Sequence, residues 1–204
     1  MSSETDRVRA IYDRGAARFD RGEAWERRIF GSDARSLVRE AEGGVLELAV
    51  GTGRNLALYR PDTTITGIEL SGEMLKRAKA RARELGIQAN LVQGDVQDLP
   101  FGAATFDTVV CTFSLCTIPD DRLAVAEARR VLRDGGRLLL VEHVRSPNSA
   151  VRLLERLADP VMKRIAGDHL LRDPLDYVEE LGFRVDSVER ARFGLLERLR
   201  ARAV

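Results

Sequence analysis

The apolar positions of this chain fall into short runs parted by glycines and charged stretches, and the runs are spaced as a repeating unit. Residues 45–50, 65–68 and 90–94 are compact segments of strand length, further runs close at Cys111 and Val141, and polar stretches separate them. Strand and helix in alternation predict an α/β fold, a mostly parallel sheet with helices on both faces. Ahead of it, residues 4–41 read as an arginine-rich helical region. Ile11, Phe19, Trp25, Ile29 and Phe30 give this region an apolar side, and Gly15, Gly22 and Gly31 are expected to break it into short helices that form a mobile lid.

Beyond Pro147, residues 150–165 predict an amphipathic helix interrupted at Pro160. Residues 174–181 predict a helix with Pro174 in its first turn and Gly182 just past its end, and residues 183–188 a strand. Residues 195–204 have the composition of a helix. The whole reads as one domain, a helical lid over residues 1–41 and a core over 42–204, long enough at 44% hydrophobic residues to bury a sizeable interior.

Charge narrows the partners. Lys plus Arg number 33 against 32 Asp plus Glu, so no global field recruits nucleic acid. No apolar run approaches the ~20 residues of a membrane span, and no leader-like segment opens the chain, so a cytoplasmic location is expected. The basic stretch 76–83 and Arg198, Arg200 and Arg202 read as solvated faces, with peripheral contact to an anionic membrane left open. Cys111 and Cys116 cannot make a disulfide framework, and no Cys/His set has metal-ligand spacing, so no metal is expected.

The candidate chemistry lies where three strand ends converge. Gly51-Thr52-Gly53 follows the first strand, and glycines there let a ligand touch backbone N–H groups. By itself such a turn does no more than link strand to helix. Glu69, sixteen residues after Gly53 and at the tip of the second strand, suits the hydroxyls of a ribose, and Asp95, after the third, suits an adenine amino group. The third glycine of a dinucleotide fingerprint is replaced by Leu56, which disfavours NAD.

The motifs Glu47-Leu-Ala-Val-Gly51-Thr-Gly53, Glu69-Leu-Ser71-x-x-Met74, Gly94-Asp95-Val96-x-x-Leu99-Pro100-Phe101, Phe106-Asp107-Thr-Val-Val110 and Arg130-Val-Leu-Arg-x-Gly135-Gly136 occur in this order. Together they resemble the class I S-adenosylmethionine (SAM) dependent methyltransferases, over roughly residues 8–200. Within that superfamily the chain is similar to the quinone-biosynthesis methyltransferases, the bacterial phospholipid N-methyltransferases and the methyltransferase-like thiol methyltransferases. Tyr12-Asp13-Arg14-Gly15 and Glu142-His143 depart from the menaquinone pattern. The resemblance implies a Rossmann-like sheet with one antiparallel C-terminal strand, which sets residues 195–204 as a strand against their composition. It implies SAM as cofactor and S-adenosylhomocysteine as product, with Tyr12, Glu47, Gly51, Thr52, Gly53, Asn55, Leu56, Glu69, Leu70, Met74, Asp95, Val96 and Thr112 at the cofactor.

The expected reaction carries the methyl group to O, S or N of a small, fairly apolar acceptor. Phospholipid head-group N-methylation is one alternative, and a SAM-binding regulator without activity is another. Methyl transfer rests mainly on positioning, and a base matters only where the nucleophile carries a proton. His143 and His169 are the candidate bases, each with an ordinary structural alternative, a carbonyl contact for His143 and a helix cap for His169. Cys111 reads as a buried hydrophobe and Cys116 as a pocket-lining residue, with Asp13 and Asp20 as surface or capping groups. No oligomeric state is implied.

Overall fold

The computed structural model describes residues 3–204, except the side chains of residues 3 and 23–25, so Trp25 lies outside the described side chains. Seven strands form one sheet: β1 Gly44–Leu48, β2 Thr64–Glu69, β3 Ala89–Gln93, β4 Phe106–Thr112, β5 Leu132–His143, β6 Phe183–Ala191 and β7 Leu196–Ala203. Their order is β3-β2-β1-β4-β5-β7-β6. The first five are parallel, and β7 runs antiparallel between β5 and β6. Around them lie α1 Ser3–Phe19, α2 Glu23–Phe30, α3 Gly72–Glu84, α4 Asp121–Val131 and α5 Ser149–Ile165.

Alternate residues of the central strands feed two separate cores, one on each face. Leu46, Leu48, Val109, Cys111, Leu138 and Leu140 pack with Ala124, Val125 and Ala128 of α4 on one side. Val45, Val110, Leu139 and Val141 pack with Leu75, Ala78 and Ala82 of α3 on the other. A strand buried on both faces reads as a continuous apolar run, which is why these segments are visible in the sequence. The strand order reverses between β1 and β4, and the carboxyl ends of both open onto the same edge of the sheet, where ligands of such sheets bind.

Several elements depart from expectation. Gly15 does not break α1, which runs on to Phe19; an exposed glycine in a helix interior costs only about 1 kcal/mol relative to alanine. Pro160 does not interrupt α5. Its ring removes one backbone hydrogen bond, and the helix, capped where the Asn148 side chain accepts from the N–H groups of Ala150 and Val151, continues through it. Residues 174–181 make only a single 3-10 turn, Pro174–Asp176, and then turns. The glycine turn after β1 leads to a short 3-10 helix, Leu56–Leu58, rather than to an α-helix. Arg198, Arg200 and Arg202 are not a free solvated face. Arg198 donates to the Ala34 and Asp33 carbonyls, Arg200 pairs with Glu40 and Glu189, and Arg202 pairs with Asp186.

Candidate functional site

Two adjoining clefts lie between α1 and the carboxyl edge of the sheet. The first encloses about 650 Å³, part of it open to solvent, and is lined by Tyr12, Gly51, Glu69, Leu70, Met74, Asp95 and Val96 among others. The second, wider one is lined by Ile29, Phe30, Glu47, Thr52, Thr112, Cys116, His143, Asp168 and Leu170 among others. Tyr12, Phe19, Ala49, Gly51, Phe113, Ser114 and Thr117 belong to both walls. The fold therefore brings together ten of the thirteen expected cofactor residues. Gly53, Asn55 and Leu56 stand behind the walls, Leu56 inside the second core.

The backbone at and just behind the shared wall turns left-handed. Ala49, Gly51 and Gly53 all have φ between +51° and +78°, and Phe113, at the end of the neighbouring strand, has φ +51°. A left-handed conformation at a non-glycine residue costs of order 1 kcal/mol or more and gathers at functional sites. The two glycines of the turn do different work. A Cβ on Gly51 would meet nothing nearer than the Ala49 carbonyl oxygen at 3.9 Å, so its open side faces cleft space. A Cβ on Gly53 would stand 2.8 Å from Leu56 Cδ1 and 3.2 Å from Ala78 Cα, so that glycine lets the loop close on α3.

Glu69 ties the turn to the second strand. Its carboxylate accepts from the Gly51 N–H at 2.9 Å and from the Ser71 N–H at 2.8 Å, and burial raises its pKa. Four lone-pair sites leave room for two further donors. Asp95 accepts from the backbone and side-chain N–H groups of Gln97, which fixes the loop after β3. Glu47 accepts from Asn55 Nδ2 and from the Tyr59 hydroxyl, both at 2.8 Å. Burial pushes its carboxyl up to about 7. Arg35 donates to Asn55 Oδ1, Thr112 Oγ1 and Glu26, so the floor of the second cleft is one polar network.

The N-terminal helices are tied to this edge by Asp13 and Asp20, the residues expected as surface or capping groups. Asp13 accepts from Ser71 Oγ at 2.5 Å and from the Glu73 N–H at the start of α3. Asp20 accepts from Thr52 Oγ1 at 2.6 Å and from Arg81 at 3.0 Å. Burial holds the Tyr12 hydroxyl well above its usual pKa, so it stays protonated.

At the far end of the second cleft sits His143, the last residue of β5. Its ring meets Phe30 edge-on at 6.2 Å, and its Nε2 lies 3.7 Å from Glu155 Oε1, while Nδ1 is buried without a partner. Burial lowers its pKa, so at neutral pH the imidazole is uncharged. With the proton on Nε2, toward Glu155, Nδ1 carries the free lone pair. Asp168 Oδ1, in the same wall, is also buried and unpartnered. His169 points elsewhere, 3.9 Å from Glu4, and lines neither cleft. Cys111 is fully buried, and burial raises both thiols well above their usual range. Arg35 and Asp168 were not singled out as site residues. Asp168 stands in the tail segment Gly167-Asp168-His169, where His169 draws the eye, and Arg35 lies in no motif; the fold brings both to the cleft.

This geometry has known counterparts. A family model described as "Methyltransferase domain" matches residues 46–140. A phosphatidylethanolamine N-methyltransferase of Cereibacter sphaeroides is 40% identical over 121 residues, 58% of this chain and 60% of that relative's length. A thiol S-methyltransferase, TMT1B, of Rattus norvegicus is 30% identical over 173 residues, 82% of this chain and 71% of the relative. The solved structure of a SAM-dependent methyltransferase from Thermotoga maritima superposes with a TM-score of 0.73 at 20% identity, covering 96% of this chain and 99% of that one.

The residues present fit SAM. The open side of Gly51 gives its backbone room beside the first cleft, and Glu69 keeps acceptor capacity there for hydroxyl groups. The two-cleft edge of a 3-2-1-4-5-7-6 sheet, its motifs and its relatives thus agree, and the chain belongs to the SAM-dependent methyltransferases.

Proposed function

We propose that the enzyme transfers the methyl group of SAM, held in the first cleft, to a proton-bearing O, S or N of a small and fairly apolar acceptor held in the second. When bound, SAM supplies an electrophilic methyl group on a sulfonium. The side chains of Glu69 and Asp95 hold the nucleoside, Tyr12 closes over it, and Gly51, Thr52, Leu70, Met74 and Val96 shape the wall. Ile29, Phe30, Phe113 and Leu170 exclude water around the acceptor. The neutral imidazole of His143 accepts the acceptor's proton at Nδ1, and Glu155 steadies the imidazolium that forms.

One observation carries this reading. His143 and Asp168 both line the second cleft, and each keeps a buried polar atom, Nδ1 and Oδ1, without a hydrogen-bond partner. A buried polar atom left unsatisfied costs about 1–3 kcal/mol, and it persists where a ligand completes it. The test is purified protein with labelled SAM and a panel of thiols, phenols, hydroquinones and phosphatidylethanolamine vesicles. Turnover of a thiol or phenol that is lost in His143→Gln supports the proposal. Turnover of phosphatidylethanolamine alone, with a pH profile indifferent to His143, replaces it with the lipid reading that the Cereibacter relative favours.

A further inference from the structure

Helix α5 is built inside out. Its two acidic side chains, Glu155 and Asp159, are buried, while Leu153, Leu154, Leu157, Val161 and Ile165 are 57–69% exposed. The acids are held inward by definite bonds. Glu155 accepts from the Ser146 N–H at 3.0 Å, and Asp159 accepts from the Leu170 N–H at 2.9 Å and pairs with Lys163. At 100° per residue the five apolar side chains fall within an arc of about 120°. Arg152, Arg156 and Lys163 follow one another along a single flank of that arc, and Arg164 falls inside it. An isolated exposed leucine needs no explanation, but a contiguous stripe of five on one helix face marks a contact surface.

A second element continues the stripe. The turn between β6 and β7 holds Arg192, Phe193 and Gly194 in succession at φ +54°, +59° and +80°, and Phe193 is 80% exposed. Ser146 Oγ donates to the Phe193 carbonyl at 2.7 Å, and Gly194 is pressed against Pro147, so the turn is fixed beside the N-terminus of α5. Two adjacent non-glycine residues in left-handed backbone are unfavourable, and here they display an aromatic ring to solvent.

We propose that the outer face of α5, with Phe193, docks on the surface of a bilayer containing anionic lipid. Leucines on one face of a helix, with arginines and lysine along the flank and an aromatic residue at one end, fit the headgroup boundary, where the apolar side chains enter the acyl region and the cations meet lipid phosphates. A second copy of the chain fits less well. A two-fold contact through this face would bring Arg156 and Arg164 of both copies together, with the acids of the helix turned away on the inside. The buried side of α5 forms the back of the acceptor cleft, through Glu155 beside His143 and Asp159 on the N–H of Leu170. Ile29, 40% exposed, stands in that cleft's wall. A docked α5 thus sets the acceptor cleft next to the lipid surface.

The docking surface does not rest on the identity of the acceptor. The test is flotation of the full chain with vesicles of phosphatidylcholine and phosphatidylglycerol at 3:1, in parallel with Leu154→Glu/Leu157→Glu and with Arg156→Glu/Arg164→Glu. All four substituted positions are solvent-facing, and circular dichroism checks that the variants stay folded. The expected result is binding of the unmodified chain that falls about tenfold or more in each double variant and weakens at high salt. An unmodified chain that stays unbound overturns the proposal. So does a chain that self-associates in light scattering and becomes monomeric in Leu154→Glu/Leu157→Glu, which assigns the face to a second copy. SAM binding by calorimetry is read on the same samples, so loss of the methyltransferase reading and loss of docking are separable.

Discussion

The two clefts are built from opposite uses of polar groups. In the first, Glu69 and Asp95 already hold backbone N–H groups and present acceptor capacity that is left over after the loop is fixed. In the second, three of the four buried side-chain polar atoms without partners among the described residues, His143 Nδ1, Glu155 Oε1 and Asp168 Oδ1, gather around one imidazole. A site that binds one cofactor can be held rigid by its own hydrogen bonds. On the proposed function, the second cleft takes up a proton, which requires a free lone pair, and leaving one free in a buried place costs stability that a bound acceptor would restore.

The largest expected effect tests whether that free lone pair matters. His143→Gln should lower kcat on a thiol or phenol by roughly 10²–10⁴, the usual weight of a positioned base, and leave affinity for S-adenosylhomocysteine unchanged within twofold. Stopped-flow or initial-rate kinetics beside calorimetry separates the two; a parallel fall in both would erase the division between the clefts. In the unmodified enzyme kcat should rise with pH and level off above a pKa below 6.5, because burial lowers the His143 pKa and only the neutral ring accepts a proton.

Glu69→Ala is the mirror experiment. Loss of a charge-assisted hydrogen-bonding group should weaken SAM and S-adenosylhomocysteine by about 1.5–3 kcal/mol, with kcat at saturating SAM affected far less. Unchanged calorimetric affinity would remove Glu69 from the cofactor. A smaller change is expected from Asp20→Asn, which leaves Thr52, Arg54 and Arg81 with a weaker lid partner. Cofactor affinity should fall by about 1 kcal/mol, and hydrogen exchange over α1 should quicken. Protection identical to that of the unmodified chain would show that Asp20 is no latch.

For the reaction itself the smallest effect is expected from the buried carboxyls of Glu47 and Glu142, whose titration acts on stability. Burial raises Glu47 to about 7 and Glu142 to about 8. The folded state then holds these protons above the pH at which the unfolded chain releases them. Stability is therefore largest at low pH within this window and declines as pH rises from about 4.5 to about 8, by on the order of several kcal/mol. Denaturant unfolding of Glu142→Gln should show a flatter profile over that range. A slope as steep as that of the unmodified chain would place the linkage elsewhere.

A strand end, a glycine turn and a carboxylate at fixed spacing are local, so the motifs are legible in the sequence, and ten of the thirteen residues they point to line the two clefts. At the C-terminus composition and the resemblance point different ways, and the sheet sides with the resemblance. Residues 196–203 are helical in composition, yet Leu199, Ala201 and Ala203 alternate with Arg198, Arg200 and Arg202. That period of two is the strand signal, and pairing with β5 and β6 on both sides makes it win over propensity.

Helices α3 and α5 mark the limit of what the chain determines by itself. Both are amphipathic in sequence, but α3 buries Met74, Leu75, Ala78 and Ala82, whereas α5 buries Glu155 and Asp159 and turns its leucines outward. Periodicity fixes that a helix has two faces, because the 3.6-residue repeat is a property of the backbone. Which face turns inward depends on the partners that await it. For α5 those are the N–H groups of Ser146 and Leu170, just beyond its two ends, and the His143 ring at the end of β5, and they meet the helix only when the flanking chain folds back along the sheet. The same holds for the two histidines, alike in the sequence and separated by the fold, one into the wall of the second cleft and one beside Glu4.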